Sequence, residues 1–317
     1  MRIVVTGGTG FIGRKLVRAL SERGDDVVVL TRGGRMPPGH EQMLGPRPMC
    51  WHGAGKLELT VWNPEREGDW MTCVEGADAV IHLAGAGIFD ERWTPERKEV
   101  IWSSRVRSTE LLAHAIAGAS KRPRVFISSS AIGHYGLHCG EHVVAEEDPG
   151  GDDFLARLTS AWEAAAEPAR LAGVRVCHPR TGIVLGTRGG ILAKLIPAFR
   201  AYMGGPIGDG RQYVPWIHIV DCVRALEHAM EHDNFDGPFN VTAPEPVTMN
   251  DFAHKLGEAL ERPSHVRVPA LAVKLAIGEG ADAILCGQRA LPRKLVSDGF
   301  AFVFPEVTSA LADLVSH

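Results

Sequence analysis

Arg2-Ile3-Val4-Val5-Thr6 is a short β-branched run that breaks at Gly7-Gly8, after which Phe11, Ile12, Leu16, Val17 and Leu20 recur at helical spacing. A strand buried on both faces of a parallel sheet is apolar throughout, without alternation, so this segment predicts strand, turn and helix. Gly24 is placed to stop the helix, and Val27-Val28-Val29-Leu30 predicts the second strand. The rhythm then returns. Ala79 to Ala84 predicts a strand, and a helix follows over about 95–118 with Val100, Ile101, Val106, Leu111, Leu112 and Ile116. Strands are expected over 124–128 and 174–177, separated by a helix over about 152–172. Alternating β and α units predict an α/β fold, a doubly wound parallel sheet of the Rossmann type.

Two stretches depart from that rhythm. Between 33 and 60 the chain is rich in Gly, Pro and Met without periodicity, which predicts a long surface excursion. After residue 180 come a glycine-rich stretch at 204–210 and helices near 249–262 and 305–316. The organisation expected is a nucleotide-binding domain over 1–178, with about 212–241 returning to it, and a smaller interleaved substrate-covering domain over 179–317.

Composition narrows the classes. A chain of 317 residues is long enough to bury a core without a metal or disulfide staple. Its 34 basic and 38 acidic side chains leave no basic footprint for a nucleic acid. Six cysteines lie far apart with no C-x-x-C pair, so neither a metal site nor a disulfide framework is expected. The first apolar run is too short for a signal peptide, and no segment approaches the roughly 18 uninterrupted apolar residues of a membrane helix. These features predict a soluble, cytoplasmic protein with a small-molecule partner and no membrane or nucleic-acid partner.

Candidate chemistry begins at Gly7-x-x-Gly10-x-x-Gly13, between a predicted strand and helix. There the first glycine permits a tight turn, the second lets backbone approach a pyrophosphate and the third lets helix and strand pack closely. Thr9, Phe11 and Ile12 lie in the same turn and join the glycines as cofactor-binding candidates. The second strand ends Leu30-Thr31-Arg32, with Arg35 beyond and no carboxylate to hold a ribose 2′-hydroxyl. A guanidinium there suits a 2′-phosphate, which makes NADP(H) the expected cofactor and Thr31 and Arg32 its contacts.

Several motifs together resemble those of extended short-chain dehydrogenases/reductases. They are the opening Thr6–Gly13 run, His82-Leu83-Ala84-Gly85 and Ser128-Ser129-Ser130. Arg92-Trp93, Ser104-Arg105, Arg180 to Gly186, Gly204 to Gly208, Pro215 to Ile219 and Gly287 to Pro292 narrow the resemblance. They look like the atypical epimerase-family reductases of unassigned substrate, over nearly the whole chain except 33–60. The resemblance implies that Leu83, Ala84 and Gly85 lie along the cofactor and that Arg32 holds its phosphate. It also implies that Arg105 reaches the cofactor and that Pro179 follows the strand flanking the nicotinamide.

Reductases of this kind usually combine a Ser or Thr with a Tyr and a Lys four residues later, the lysine lowering the phenol's pKa. Ser130 fits the first role. The chain has three tyrosines, and four residues beyond Tyr135, Tyr202 and Tyr213 stand Cys139, Pro206 and Ile217. Alignment by the helix that should carry the pair places Leu155 and Thr159 there. Two readings follow. In one, the protein reduces or epimerises a substrate with Ser130 and another acid, Tyr135 first and His134 or His218 behind it. Trp93, Arg180, Trp216 and His218 then line the substrate pocket. In the other, the fold keeps NADP(H) and serves as a catalytically silent sensor or interaction module. The helix over 95–118 offers a face for a homodimer.

Overall fold

The computed structural model describes residues 1–33, 55–137 and 140–316. Arg35, Cys50, Cys139 and most of the glycine- and proline-rich excursion lie outside the described residues.

The sheet half of the chain opens with β1 (Arg2–Thr6), α1 (Phe11–Glu22), β2 (Asp26–Thr31), β3 (Leu57–Val61) and β4 (Ala79–His82). Next come α2 (Pro95–Ser103), α3 (Val106–Gly118), β5 (Val125–Ser128), β6 (Ser130–Ala131), β7 (Val143–Val144), α4 (Phe154–Ala164), α5 (Glu167–Leu171) and β8 (Arg175–Thr181). Beyond it lie β9 (Ile183–Leu185), α6 (Gly190–Arg200), β10 (Tyr213–Val214), β11 (Trp216–His218), α7 (Ile219–Glu231) and β12 (Gly237–Val241). The chain continues through β13 (Val247–Thr248), α8 (Met249–Leu260), α9 (Ala270–Ile277), α10 (Asp282–Leu285), β14 (Arg289–Ala290), α11 (Arg293–Ser297) and α12 (Val307–Val315).

The main sheet runs β12-β8-β5-β4-β1-β2-β3, parallel throughout, with β6 added beside β8. Its apolar strands are buried on both faces. Ile3, Val5, Val27, Val29, Ile81 and Ile127 pack with Leu16 and Leu20 of α1 and Leu226 of α7. Val4, Val28, Val80 and Phe126 point the other way, onto Leu112 and Ile116 of α3. A third core joins α6, α8 and α12 around Trp216. The order reverses between β1 and β4, so the crevice beyond their C-terminal ends is where this fold places a ligand.

The structure differs from the sequence reading in several places. β3 overlaps the end of the segment expected to be irregular; it is a half-buried strand at the sheet edge, paired with β2 alone. The helix expected over 95–118 is broken at Ser104–Arg105, and that over 152–172 at Ala165–Ala166. A domain boundary at 178/179 falls inside β8, which runs unbroken from Arg175 to Thr181, and β12 lies beside it in register, with Asn240 opposite Arg180. Cys73, Cys177 and Cys222 are free and buried, whereas Cys286 is disulfide-bonded. Wide spacing along the chain carries no information about that bond, which depends on distance in space. Among the described residues no helix is long and apolar enough to cross a membrane.

Candidate functional site

The glycine turn after β1 separates three physical roles. Gly7 has φ +67°, and a Cβ there would lie 2.6 Å from the Leu83 carbonyl carbon and 2.8 Å from the Ala84 nitrogen. A Cβ on Gly13 would stand 2.1 Å from the Gly7 oxygen. Both glycines are therefore required by the fold itself. Gly10 is different: it is exposed, and its Cβ position meets only the Gly7 oxygen, at 3.1 Å. Its open face lies at the start of α1, where no side chain caps the helix and first-turn N–H groups are free for an anion. Thr9 and Ile12 are half-buried on the same turn. The Phe11 ring faces the protein, against Gly186 and Gly189, whose Cβ positions would come within 2.6 and 2.7 Å of it. Phe11 thus offers the turn its backbone, while its ring anchors the loop after β9.

Thr6 and His82 tie this turn to the next strand. The Thr6 hydroxyl lies 2.6 Å from His82 Nδ1 and accepts from the Ala84 N–H at 3.3 Å, while His82 Nε2 is 3.1 Å from the Ser108 hydroxyl. Burial, with the nearby Arg105 charge, pushes the His82 pKa down to about 3, so it is a neutral linker. Leu83 and Ala84 are half-buried and Gly85 exposed beside them.

Arg105 sits at the break between α2 and α3, 8% exposed. It donates to the carbonyls of Ala86 at 2.9 Å and Ile101 at 3.2 Å, lies over Trp162 and leaves Nε without a partner. A Cβ on Gly85 would lie 3.2 Å from its Cζ. Burial, with Arg97 nearby, lowers its pKa to about 10. Among the described residues no carboxylate pairs with it. A buried guanidinium without a carboxylate partner, next to the loop after β4, could hold an anionic or strongly dipolar ligand. Arg32 is exposed at the end of β2, beside half-buried Thr31.

The catalytic candidates come together beyond β5 and β8. Ser130 donates to Glu163 Oε1 at 2.6 Å, and Arg180 holds both oxygens of the same carboxylate, through Nε at 2.8 Å and Nη2 at 3.0 Å. Arg180 also donates to the Tyr135 hydroxyl at 3.1 Å, and Tyr135 donates to Asn240 Oδ1 at 2.7 Å. The Asn240 amide donates to the Leu291 carbonyl, which settles its orientation. Arg180 and Ser130 hold the Glu163 carboxyl below its usual range despite burial. Tyr135 is 1% exposed, and burial pushes its pKa up to about 12. Its one proton and an oxygen lone pair are both committed inside the protein.

Glu163 is the member that sequence reasoning passed over. It stands on α4 at i+4 from Thr159 and i+8 from Leu155, the two positions aligned with the missing pair, and so on their helix face. That spacing was the available signal. The Thr159 hydroxyl donates to the Leu155 carbonyl at 2.9 Å and is buried against its own helix.

Other candidates are placed elsewhere. Trp93 is half-buried between Phe89 and Phe154, with its indole N–H on the Ile88 carbonyl and Gly280 packed on its ring. Trp216 is fully buried in the third core with its N–H on the Glu245 carbonyl, which leaves no surface for a substrate. His218 is equally enclosed: its Nδ1 caps α7 by accepting from Val220 N–H, Nε2 is 3.3 Å from Asp313, and Phe304 stacks on the ring. Both are packing residues, because β11 turns them into the core. His134 is buried, with burial and Arg180 lowering its pKa. Pro179 is buried in β8 opposite Phe239.

Residues 3–242 match the model of the NAD dependent epimerase/dehydratase family, and 268–314 match a domain of unknown function. The chain is 36% identical to the mouse epimerase family protein SDR39U1, covering all of both chains. It is 39% identical to the chloroplastic SDR39U1 homologue of Arabidopsis thaliana, over 98% of this chain and 86% of that one. The crystal structure of human SDR39U1 with NADPH superposes with a TM-score of 0.86 at 32% identity over the whole of both chains. A Bacillus cereus UDP-glucuronic acid 4-epimerase, with UDP-glucuronic acid and NAD, shares the fold at 17% identity and a TM-score of 0.77.

Proposed function

Since the chain belongs to the NAD-dependent epimerase/dehydratase family, we propose that it is an NADP(H)-dependent oxidoreductase or epimerase in which Ser130 and Glu163 handle the proton. Bound NADP(H) supplies or takes the hydride. The residues present fit it: the open Gly10 face and uncapped start of α1 suit a pyrophosphate, Arg32 a 2′-phosphate, and Arg105 with its unpartnered Nε the dinucleotide along Gly85. The NADPH in the human relative's crystals supports the same choice.

Support for the chemistry comes from one arrangement, the Ser130 hydroxyl donating to an ionised Glu163 that Arg180 holds through both carboxylate oxygens. Because the Ser130 proton is committed to Glu163, the serine oxygen is left as an acceptor. It accepts a substrate hydroxyl proton and passes its own to the carboxylate; in carbonyl reduction Glu163 first takes a proton from solvent and returns it through Ser130 to the substrate oxygen. Tyr135 has no free donor, so it positions Arg180. The substrate is a small molecule with a carbonyl or secondary hydroxyl. The enclosure of Tyr135 and Arg180 favours a second reading, an NADP(H)-binding module without turnover.

A panel of carbonyl compounds and sugar nucleotides, assayed for NADPH oxidation, separates the two. Ser130→Ala and Glu163→Gln should each lower turnover about 10²-fold or more while NADPH affinity holds. Full turnover in both variants removes the proton relay, and no turnover of any compound by the unmodified protein leaves the binding module. Tighter binding of NADPH than NADH, lost in Arg32→Ala, tests the cofactor separately.

A further inference from the structure

His228, His232 and Asp298 converge on the surface away from the cofactor turn, each offering a ligand atom, and these atoms all lie within 4.8 Å of one another. We propose that these three side chains form a zinc site that clips the end of α7 to the segment following α11. The position is built by secondary structure. His228 is in the last turn of α7 and His232 is its C-cap, so the i, i+4 spacing puts both imidazoles on one face. Asp298 is the C-cap of α11, and Gly299 turns the chain away at φ +78°.

Each ring is already oriented. His228 is wedged edge-to-face against Phe235 and Phe300, both at 5.4 Å, and stacks on His232 at 3.8 Å. His232 Nδ1 lies 2.8 Å from the His228 carbonyl. That contact requires a proton on Nδ1 and leaves Nε2 with its lone pair, the backbone-carbonyl support that metal-binding histidines use. His228 Nε2 lies 2.7 Å from Asp298 Oδ2. Two bonds of about 2.0–2.2 Å to one tetrahedral ion replace that hydrogen bond if the two atoms part by about half an ångström.

Two imidazoles and one carboxylate, all on neutral or anionic atoms, suit zinc better than magnesium or calcium, which take oxygen ligands. The three lie in a cleft of about 460 Å³ that also holds Glu227 and Glu231 beside Arg23 and Arg224, with room for a water as fourth ligand. Arg23, at the C-cap of α1, pairs with Glu231. The cleft is therefore at the opposite end of α1 from Gly10, about 20 Å away at 1.5 Å per residue. The site is thus independent of the proposed reaction.

The test titrates metal-free protein with Zn²⁺ against a chromophoric chelator and follows its melting with and without the ion. One zinc per chain and a raised melting temperature are expected. His232→Ala and Asp298→Asn alter exposed side chains and should each weaken zinc at least tenfold, with circular dichroism unchanged. Co²⁺ in place of zinc should give a spectrum without a thiolate charge-transfer band. No zinc uptake, uptake undiminished in both variants, or a thiolate band would each overturn the site.

Discussion

Glu163 grips Arg180 at two points, Oε1 to Nε at 2.8 Å and Oε2 to Nη2 at 3.0 Å, while its first oxygen also receives the Ser130 proton. The guanidinium is 5% and the carboxylate 15% exposed, so each charge depends on the other. Glu163→Ala should destabilise the fold by about 3 kcal/mol, the scale for leaving a buried charge unpaired. Urea unfolding measures it, and a loss below about 1 kcal/mol would mean that solvent compensates Arg180.

Tyr135→Phe keeps the ring, and from the sequence alone it is expected to leave stability and NADPH affinity nearly unchanged while turnover falls about 10²-fold or more. The structure makes it costly. Asn240 is fully buried and its Oδ1 accepts the Tyr135 proton, so the variant leaves that oxygen unsatisfied at about 1–3 kcal/mol. NADPH affinity should not change. A variant as stable as the parent by denaturant midpoint would show that another donor reaches Asn240.

Two glycine variants should fail in different ways. Gly10→Ala adds a methyl group pressed at 3.1 Å against the Gly7 oxygen alone, which a shift of a few tenths of an ångström relieves, so the fold should survive while nucleotide binding weakens tenfold or more. Gly13→Ala drives a methyl group to 2.1 Å from that same oxygen and should cost stability before binding is considered, by the roughly 1–3 kcal/mol of overpacking. Calorimetric binding beside thermal melts distinguishes them. Equal melting losses in both would contradict the open face at Gly10.

Acid should weaken the fold in a defined window. His82 has a folded pKa of about 3 against about 6.5 in an unfolded chain. Between those values the unfolded state binds the extra proton, so stability is complete above about pH 6.5 and falls as pH drops towards 3. The slope from this residue is at most about 1.4 kcal/mol per pH unit. His134, His178 and His218 are shifted in the same direction by burial. Unfolding free energies at pH 7, 6 and 5 should decline for the parent and decline less for His82→Gln. An identical slope in the two would show that His82 titrates normally.

Parts of the candidate site are legible in the sequence because their signals are local. Gly7, Gly10 and Gly13 stand at fixed offsets between a strand and a helix, and the demands on each follow from backbone geometry over seven residues. Ser130 and Tyr135 were close enough along the chain to be read as one end of the cleft. Trp216 and His218 were misread because a motif shows which residues travel together but not which way β11 faces. β3 escaped notice because an edge strand buries too little surface to impose a strong apolar pattern.

The amino-acid order alone determined the alternating sheet, the dinucleotide turn and the lack of lysine four residues after any tyrosine, since each depends on periodicity or adjacency. Only the tertiary structure decided what meets across the sheet. Glu163 and Arg180 are 17 residues apart, Tyr135 and Asn240 105, and His228 and Asp298 70. Pairings of that kind are set by strand order and by the direction each element presents its side chains, and neither is written in a local pattern. Burial then does the rest, fixing the His82 and Tyr135 protons by removing water that no sequence window can show to be missing.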